Sequence, residues 1–326
     1  MKVCVFGAGA VGSHIAAKLL RAGAAETSLV ARGAHLDAMR RNGLTYVGET
    51  ERFTVPVPQC TNDPGTLPQQ DLVLVTLKAV SLPQSADAIG RLIAPGGAAV
   101  FLLNGIPWWW RYGLDAKPAT LPLLDPEGRL WSDVRPERAL GGVIYSPNEI
   151  TEPGVVSNST RSHFVLGAPD NGDSPALASA LRVFEQAGLT AKRSADIRRD
   201  VWLKLLLNAP GNPLSALTRL TAGERGADEG LFEVGKALVR EVLAVAKATG
   251  WDLGDDVDVE GIVRPKGTLG GGRPSMLQDI LAGRPTEVAA LLEQPAAFGV
   301  EHGIATPVMD VVAPLVRGLD RAVRKR

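Results

Sequence analysis

A glycine-rich turn near the start of the chain constrains the fold more than any other feature of the sequence. Gly7, Gly9 and Gly12 form a GxGxxG motif that directly follows an apolar, strand-like segment at residues 3–6. The motif opens a helical pattern at 10–22, which ends at a glycine. In this setting the first glycine permits a tight turn, the second lets a pyrophosphate approach the backbone, and the third allows close packing of helix on strand. The sequence therefore predicts a βαβ unit that binds a dinucleotide.

The end of the second predicted strand, at 27–31, indicates which dinucleotide is bound. An acidic residue about 20 residues beyond the motif would bind a ribose diol, but Ala31, Arg32 and Gly33 stand there. A guanidinium suits a 2′-phosphate because it forms charge-assisted, bidentate hydrogen bonds. The alternative is that Arg32 is a solvated residue at a strand end. We expect NADPH, and the predicted contacts are Gly7, Gly9, Ala10, Val11, Gly12 and Arg32.

Short β-rich segments alternate with helical ones up to about Ser194, which is typical of a parallel sheet with crossover helices. Further strands are predicted at 71–77, 98–103, 141–146, 154–157 and 163–167. Beyond Asp196 long amphipathic patterns take over, at 201–207, 231–249, 276–281, 287–298 and 308–323. We therefore expect an α/β domain over residues 1–195 and an all-helical domain over residues 196–326.

The composition excludes several classes of function. The chain has 326 residues with 35 basic and 35 acidic side chains, so it lacks the basic excess of a nucleic-acid-binding protein. Two cysteines and four histidines lie without metal-ligand spacing, so no metal site is expected. The N-terminus leads directly into a strand, and no apolar segment approaches the roughly 20 residues of a membrane helix. We expect a cytoplasmic protein with a small-molecule substrate and with no nucleic-acid or membrane partner.

Two polar residues follow predicted strands, at the edge where open parallel sheets bind ligands. Lys78 follows the strand at 71–77, and Asn104 follows the strand at 98–103 with Gly105 beside it. Either residue could be an ordinary loop residue. Their shared place at the carboxyl ends of strands makes both of them candidates for the cofactor side of the site.

A second set of candidates lies in the helical half of the chain. Lys204 and Asn208 are four residues apart and share a helix face, which Asn212 continues if Pro210 and Gly211 do not turn the chain away. The neighbours of Lys204 are apolar, which indicates a partly buried amine that is either snorkelling or functional.

The segment 274–287 reads PSMLQDILAGRPTE and concentrates several polar side chains. A glycine-rich loop at 267–272 is expected to lead into a helix that has Ser275 as its N-cap. Taken by itself, the segment could be a polar helix face with salt bridges.

Five segments together resemble the ketopantoate reductase (2-dehydropantoate 2-reductase) family. They occur in the family's order over nearly the whole chain: GAGAVG at 7–12, TLKA at 76–79, LNG at 103–105, WLKLLLNAPGNPLSAL at 202–217 and PSMLQDILAGRPTE at 274–287. This set is far more specific than any single motif. The resemblance implies an α/β Rossmann N-terminal domain followed by an all-α 6-phosphogluconate dehydrogenase-like C-terminal domain.

The resemblance also implies a reaction, the NADPH-dependent reduction of a 2-oxo acid, most simply ketopantoate to D-pantoate in pantothenate biosynthesis. Lys204 would be the catalytic lysine and Glu287 its acidic partner. A protonated lysine aimed at the carbonyl oxygen would polarise the carbonyl and donate the proton that the reduction needs. The implied substrate-binding residues are Asn104, Asn208, Asn212 and Ser275, and the implied further cofactor contacts are Lys78 and Asn104.

The chain departs from the family pattern at several positions. Ala222 stands where family members often carry asparagine, and Ala289 stands where an acidic residue is common. The segment 107–136 is longer than the family minimum, and Trp108–Trp110 follow one another within it. These tryptophans could form a lid or an aromatic pocket wall that suits a bulkier substrate, or they could pack at a subunit contact. We favour the structural interpretation.

Two alternatives to ketopantoate reduction stay open. The first is a D-2-hydroxyacid dehydrogenase of the same fold that acts on a bulkier branched or aromatic 2-oxo acid. The second is a non-catalytic NADPH-binding sensor, against which the retention of both Lys204 and Glu287 argues, since a binding module does not need that pair. Apolar helices in the second domain are compatible with a homodimer.

Overall fold

The structure is a computed structural model that describes residues 1–158, 160–254, 257–264 and 273–324. The chain divides into two compact units. The first consists of Met1–Leu103 and Trp108–Ile197, and the second consists of Asn104–Pro107 and Arg198–Arg326. The second unit therefore includes a short segment from the first half of the chain, which the predicted division at residues 195 and 196 assigns to the first domain.

The described part of the first unit contains two sheets and four α-helices. Its strands are β1 (Lys2–Phe6), β2 (Glu26–Val30), β3 (Leu44–Val47), β4 (Arg52–Val55), β5 (Gln59–Thr61), β6 (Gln70–Val75), β7 (Ile93–Leu102), β8 (Ala139–Tyr145), β9 (Asn148–Glu152), β10 (Val155–Asn158), β11 (His163–Gly167) and β12 (Thr190–Arg193). Its helices are α1 (Ala10–Ala22), α2 (Gly33–Asn42), α3 (Leu82–Leu92) and α4 (Pro175–Gln186). The strand order is β12-β11-β8-β7-β6-β1-β2-β5 in the large sheet and β4-β3-β10-β9 in the small one.

The middle of the large sheet explains where a ligand can bind. β1 pairs in parallel with β2 on one side and with β6 on the other. Val3, Cys4 and Val5 of β1 are fully buried, as expected for a central strand that is covered on both faces. The strand order reverses next to β1, so the carboxyl ends of β1 and its neighbours form the switch point at which open α/β sheets bind ligands.

The α/β prediction for this half is confirmed, with a difference in strand direction. β11 pairs antiparallel with β8, and β12 runs parallel to β11, so the large sheet is mixed rather than wholly parallel. The sequence pattern also did not predict β3, β4, β5, β9 or β12. These strands have only three to five residues each, which is too short for an alternating apolar pattern to be recognised.

The second unit is helical. α5 (Ile197–Thr218) leads into it, and it continues with α6 (Ala222–Ala227), α7 (Glu229–Ala248), α8 (Val259–Val263), α9 (Ser275–Leu281), α10 (Gln294–His302) and α11 (Pro307–Arg324). A π-helical segment, Ala289–Glu293, directly precedes α10. All regular elements in the described part of this unit are helices, which confirms the predicted all-helical half. Over the described ranges of the whole chain, we find no helix with the length and apolar character needed to cross a membrane.

Helix α5 continues through Pro210 and Pro213. A proline inside a helix removes a hydrogen bond to the carbonyl four residues earlier and tends to kink or break the helix. The helix persists here because its middle turns are almost entirely buried, and packing supplies most helical stability in proteins. Lys204, Asn208 and Asn212 therefore lie on one uninterrupted helix, as the prediction required.

The three consecutive tryptophans are core residues of the first unit. Trp108, Trp109 and Trp110 are each no more than 2% exposed. The ring of Trp108 contacts Phe101 edge to face with the ring centroids 5.4 Å apart, and it contacts Trp131 in the same way at 6.5 Å. Because all three side chains are buried within a single chain, they form neither a lid nor a subunit contact. The tryptophans therefore have a structural role, but they pack in the core of one chain and not between subunits.

A buried polar network connects α1 to the small sheet. Nδ1 of His14 lies 2.7 Å from Oδ1 of Asn148 and 3.3 Å from Oγ of Ser146. The side-chain amide of Asn158 donates to Oδ1 of Asn148 at 2.9 Å and to Oγ of Ser162 at 3.0 Å. Burial lowers the pKa of His14 to about 4, because an imidazolium would lose its hydration there.

We expect this histidine to make the protein less stable in mild acid. The pKa of His14 is lower in the folded chain than its ordinary value of 6.5, so the unfolded chain takes up a proton first as the pH falls. Full stability is present above about pH 6.5 and is lost progressively toward about pH 4, by about 3 kcal/mol at most.

Urea unfolding at a series of pH values tests this expectation. The H14Q variant should lose the part of the slope of unfolding free energy against pH that His14 contributes between these limits, and His35, whose pKa burial also lowers, should keep its own part. The H302A variant removes an exposed histidine and should keep the slope. An H14Q slope equal to that of the wild type would contradict the assignment.

Candidate active site

The glycine turn lies at the carboxyl end of β1. The amides of Gly7 and Ala8 donate to the carbonyl of Val30, the last residue of β2, at 3.0 and 3.1 Å. The carbonyl of Gly7 accepts from the amide of Gly9 at 2.7 Å and from the hydroxyl of Thr76, which follows β6. The ends of both neighbouring strands therefore hold the turn in place.

Gly12 and Gly9 have opposite surroundings. A Cβ atom on Gly12 would lie 2.3 Å from the carbonyl oxygen of Gly7 and 2.5 Å from Oγ1 of Thr76, so the close packing of α1 requires glycine there. A Cβ atom on Gly9 would meet no atom of the described chain within 4 Å. The backbone is thus open at the position where the motif predicts a pyrophosphate.

The first turn of α1 provides hydrogen-bond donors. Gly9 is its N-cap, and within the described ranges no side chain caps this helix start. The amides of Ala10, Val11 and Gly12 belong to the first turn, where intrahelical acceptors are lacking. Such amides, together with the positive end of the helix dipole, attract phosphate oxygens. The residues present therefore fit the diphosphate of a dinucleotide.

The two cationic residues predicted to contact the cofactor lie on either side of the glycine turn. Arg32 is exposed at the N-cap of α2, shortly after β2. Lys78 is half-buried and shortly follows β6. Because β2 and β6 both flank β1, the structure brings both side chains to the edge of the sheet that carries the turn.

In the second unit, α5 carries three of the predicted catalytic and substrate-binding residues. Lys204, Asn208 and Asn212 follow one another at intervals of four residues, so they share one helix face. Burial lowers the pKa of Lys204 from 10.5 to about 8, because an ammonium group loses hydration away from water. The amine is still mostly protonated at neutral pH, but it releases its proton more readily than an exposed lysine does.

Asn104 connects this helix face to Glu287. The side-chain amide of Asn208 donates to Oδ1 of Asn104 at 3.2 Å, and the side-chain amide of Asn104 donates to Oε2 of Glu287 at 3.3 Å. Glu287 is 8% exposed and Asn208 is 9% exposed, so both ends of the network are buried, whereas Asn104 between them is half-buried. Three predicted site residues thus form one hydrogen-bonded chain that ends at a carboxylate.

A backbone contact that the sequence analysis missed holds Asn104 in position. The amide of Ile106 donates to the carbonyl of Ala290 at 2.9 Å, and Ala290 lies in the π-helical segment shortly after Glu287. Gly105 has a φ of 78°, and a Cβ atom there would lie 2.5 Å from that same carbonyl oxygen. The glycine of the LNG segment is the signal that could have revealed the contact, since glycine permits both a positive φ and a close backbone approach.

The structure corrects the predicted role of Ser275 as a helix cap. Helix α9 begins at Ser275 itself, and Pro274 occupies the N-cap position. Ser275 is exposed in the first turn, and the predicted loop at 267–272 lies outside the described residues. Arg284 and Asp279 form a salt bridge at 3.2 Å. For these two side chains, the interpretation of the segment as a polar helix face with salt bridges therefore holds.

Sequence comparison identifies the family. The family model described as ketopantoate reductase PanE/ApbA matches residues 3–171, and the model of its C-terminal part matches residues 196–320. A 2-dehydropantoate 2-reductase from Mesorhizobium japonicum is 37% identical over 323 residues, which cover 98% of each chain. Another, from Halobacterium salinarum, is 28% identical over 97% of this chain and 98% of its own length.

Solved structures have the same architecture. The 2-dehydropantoate 2-reductase from Geobacter metallireducens GS-15 superposes with a TM-score of 0.85 at 28% identity, covering 98% of this chain and 99% of the other. A D-mandelate dehydrogenase solved with NADH and anilino(oxo)acetate gives a TM-score of 0.84 at 23% identity over 99% of both chains, a likeness of fold alone. Since both family models match and a relative above 30% identity spans the chain, this protein belongs to the ketopantoate reductase (2-dehydropantoate 2-reductase) family of oxidoreductases.

Proposed function

We propose that the protein reduces 2-dehydropantoate (ketopantoate) to D-pantoate with NADPH, as a step of pantothenate biosynthesis. The supporting observation is the network of Asn208, Asn104 and Glu287 one helical turn from Lys204, in a chain of the ketopantoate reductase family. An amine with a lowered pKa, a carboxylate and neutral amides suit a reaction that moves a proton to a carbonyl oxygen and binds a small anion.

The glycine turn would hold the cofactor in the first unit. The amides at 10–12 would bind the diphosphate, which the open backbone at Gly9 can approach. Arg32 would bind the 2′-phosphate that distinguishes NADPH from NADH, and Lys78 and Asn104 would complete the contacts. NADPH, when bound, supplies the hydride that reaches the carbonyl carbon of the substrate.

Lys204 would serve as the general acid. Its ammonium group would donate a hydrogen bond to the carbonyl oxygen and transfer a proton as negative charge develops there. A pKa of about 8 suits this role, because a general acid works best when its pKa lies near the operating pH. Glu287 would orient the lysine or accept a hydrogen bond from the forming hydroxyl.

Neutral side chains would hold the substrate. Asn208, Asn212 and Ser275 offer amide and hydroxyl donors to the carboxylate and the hydroxyl of the substrate. This donor set needs no metal ion. Hydrogen bonds from these side chains would therefore hold the substrate, and Lys204 would supply the proton.

A D-2-hydroxyacid dehydrogenase activity on a bulkier 2-oxo acid is the second candidate. The fold similarity to a D-mandelate dehydrogenase favours it only weakly, since the identity is 23%. The burial of Trp108–Trp110 removes the aromatic pocket wall on which a bulkier substrate would have rested. The non-catalytic sensor gains no support, since the family is one of reductases and both Lys204 and Glu287 are present.

Oxidation of reduced nicotinamide, followed by its absorbance, tests the proposal. Ketopantoate, pyruvate, 2-oxoisovalerate and phenylglyoxylate should each be assayed with NADPH and with NADH. We expect rapid turnover of ketopantoate with NADPH. Faster turnover of phenylglyoxylate would move the assignment to the second candidate, and the absence of turnover with all four acids would favour the sensor.

A homodimer and a cytoplasmic location are parts of the same proposal. Val311 and Leu315 lie one turn apart on α11 and are 61% and 55% exposed, so this helix has an apolar exposed face that a second subunit could cover. Light scattering on the purified protein, with V311E/L315E as the comparison, would measure the oligomeric state.

The Gly105→Ala substitution should lower activity by displacing Asn104. The added methyl group would overlap the carbonyl of Ala290, and a misplacement near 1 Å in a positioned group costs up to about 100-fold in rate. We expect kcat/KM for ketopantoate to fall at least about tenfold.

The matched control for this substitution is Gly113→Ala. Gly113 also has a positive φ, of 75°, but a Cβ atom there meets nothing within 4 Å in the described chain. Backbone strain is therefore common to both variants, whereas displacement of Asn104 is not. Equal activities of the two variants would remove the positioning role from the contact between Gly105 and Ala290.

A further inference from the structure

His35 forms two hydrogen bonds in the first unit that determine its tautomer. The backbone amide of Gly154 lies 2.9 Å from Nδ1 of His35, and Oγ of Ser13 lies 2.9 Å from Nε2. A backbone amide can only donate, so Nδ1 must be the acceptor and carry no proton. The proton of the neutral ring is then on Nε2, which donates to the hydroxyl of Ser13. Burial lowers the pKa of His35, which agrees with a neutral ring.

Ser13 connects His35 to the glycine turn through two hydrogen bonds. Its hydroxyl accepts from His35 and lies 3.1 Å from the carbonyl oxygen of Ala8, to which it donates. Ser13 is fully buried, so water does not compete for these bonds. The amide of Gly154 thus donates to His35, the imidazole of His35 donates to Ser13, and the hydroxyl of Ser13 donates to the carbonyl of Ala8.

The end point of this series is the peptide group between Ala8 and Gly9. Its carbonyl accepts from Ser13, and its amide, on Gly9, donates to the carbonyl of Gly7 at 2.7 Å. A peptide group is planar, so bonds at both ends determine its orientation. A Cβ atom on Gly9 would meet no atom of the described chain within 4 Å, so a ligand can approach this residue. The carbonyl of Gly9 accepts from the amide of Ser13 at 2.8 Å, which connects the peptide to the first turn of α1.

The same imidazole belongs to the helix that carries the predicted phosphate contact. His35 lies in the first turn of α2, and Arg32 is the N-cap of that helix. One residue therefore connects the α2 start to the glycine turn.

We infer that His35 and Ser13 are positioning residues of the dinucleotide site, which hold the peptide between Ala8 and Gly9 in the orientation that the cofactor diphosphate requires. This inference rests on the proposed binding of NADPH. Because the diphosphate is common to both nicotinamide cofactors, loss of the pair weakens NADPH and NADH by the same factor. Loss of a 2′-phosphate contact, by contrast, weakens NADPH alone.

The test is direct titration of NADPH and NADH, monitored by nicotinamide fluorescence, well below the unfolding temperature. The S13A variant removes the hydrogen bond to the carbonyl of Ala8 and leaves Nε2 of His35 without its acceptor. Both dissociation constants should rise about fivefold to tenfold, as expected when the buried hydrogen bond that orients the peptide is lost. The S85A variant is the matched control, since Ser85 also donates to a backbone carbonyl, that of Ser81 at 3.1 Å, in α3. Its dissociation constants should equal those of the wild type.

The H35A variant and the double variant S13A/H35A complete a cycle. If the two side chains act as one unit, the double variant should bind no more weakly than the weaker single variant, whereas independent roles would multiply the two effects. H35A also carries the test alone if S13A does not fold. Unchanged dissociation constants in S13A and H35A, with tight NADPH binding by the wild type, would overturn this inference and leave the proposed function intact. Failure of the wild type to bind either cofactor would overturn both.

Discussion

Replacing Lys204 with alanine should lower kcat for ketopantoate reduction by about 100-fold to 10,000-fold, the usual contribution of a positioned acid or base. The side chain lies half-buried on the polar face of α5, and alanine removes both the proton donor and the positive charge near the developing oxyanion. The affinity for NADPH should change little, because the glycine turn and Arg32 lie in the first unit. Steady-state kinetics together with cofactor titration measures the two effects separately.

The Lys204→Ala result has two controls. The K247A variant removes an exposed lysine of α7 and should retain full activity. In the wild type, the rate of reduction should fall as the pH rises through about 8, because the deprotonated amine cannot donate a proton and burial lowers the pKa of Lys204 to that value. A K204A enzyme with normal turnover, or a wild-type rate that stays constant to pH 10, would exclude the lysine as the acid.

Replacing Arg32 with alanine should weaken NADPH binding by about 10-fold to 100-fold, the range expected for the loss of charge-assisted hydrogen bonds to a phosphate. NADH has no 2′-phosphate, so its dissociation constant should change less than about twofold. The ratio of the two constants is therefore the decisive measurement. It can be obtained from the same fluorescence titrations for both cofactors.

The R41A variant controls for the general loss of positive charge around α2. Arg41 is exposed in the last turn of the helix that Arg32 begins, so it contributes to the same field without lying at the end of β2. We expect R41A to bind NADPH nearly as well as the wild type. Equal weakening of NADPH and NADH in R32A would disprove the 2′-phosphate assignment. Unchanged dissociation constants for both cofactors would leave Arg32 as a solvated strand-end residue.

The parts of the fold that depend on neighbouring residues could be predicted from the sequence. The spacing of Gly7, Gly9 and Gly12 between a strand and a helix was enough to predict the turn, because the backbone bonds of Gly7 and Ala8 to Val30 lie within one βαβ unit. The contact of the turn with Thr76 lies outside that unit. The helical half could be predicted for a similar reason, since long amphipathic segments repeat their pattern over several turns. The short strands β3, β4, β5, β9 and β12 contain too few residues for such a pattern.

The parts that depend on distant residues could not be predicted from spacing. Asn104 and Glu287 are 183 residues apart in the chain, so no local pattern indicates that they share a hydrogen bond. Only the family resemblance placed both residues in one site, and it did not indicate the contact of Ile106 with Ala290. The tryptophans at 108–110 likewise look like surface or interface residues in the sequence, and only their partners in the core explain them.

Residues Asn104–Pro107 belong to the helical unit although they lie far upstream of it in the chain, and this has a consequence for how the protein can be divided. A fragment that starts at residue 196 contains Lys204, Asn208 and Glu287 but not Asn104. In that fragment the carbonyl of Ala290 loses the bond from Ile106, and the side-chain amide of Asn208 loses the bond to Asn104. The helical half is therefore not a self-sufficient module, and a gene split at the linear boundary would divide the hydrogen-bonded network between two polypeptides.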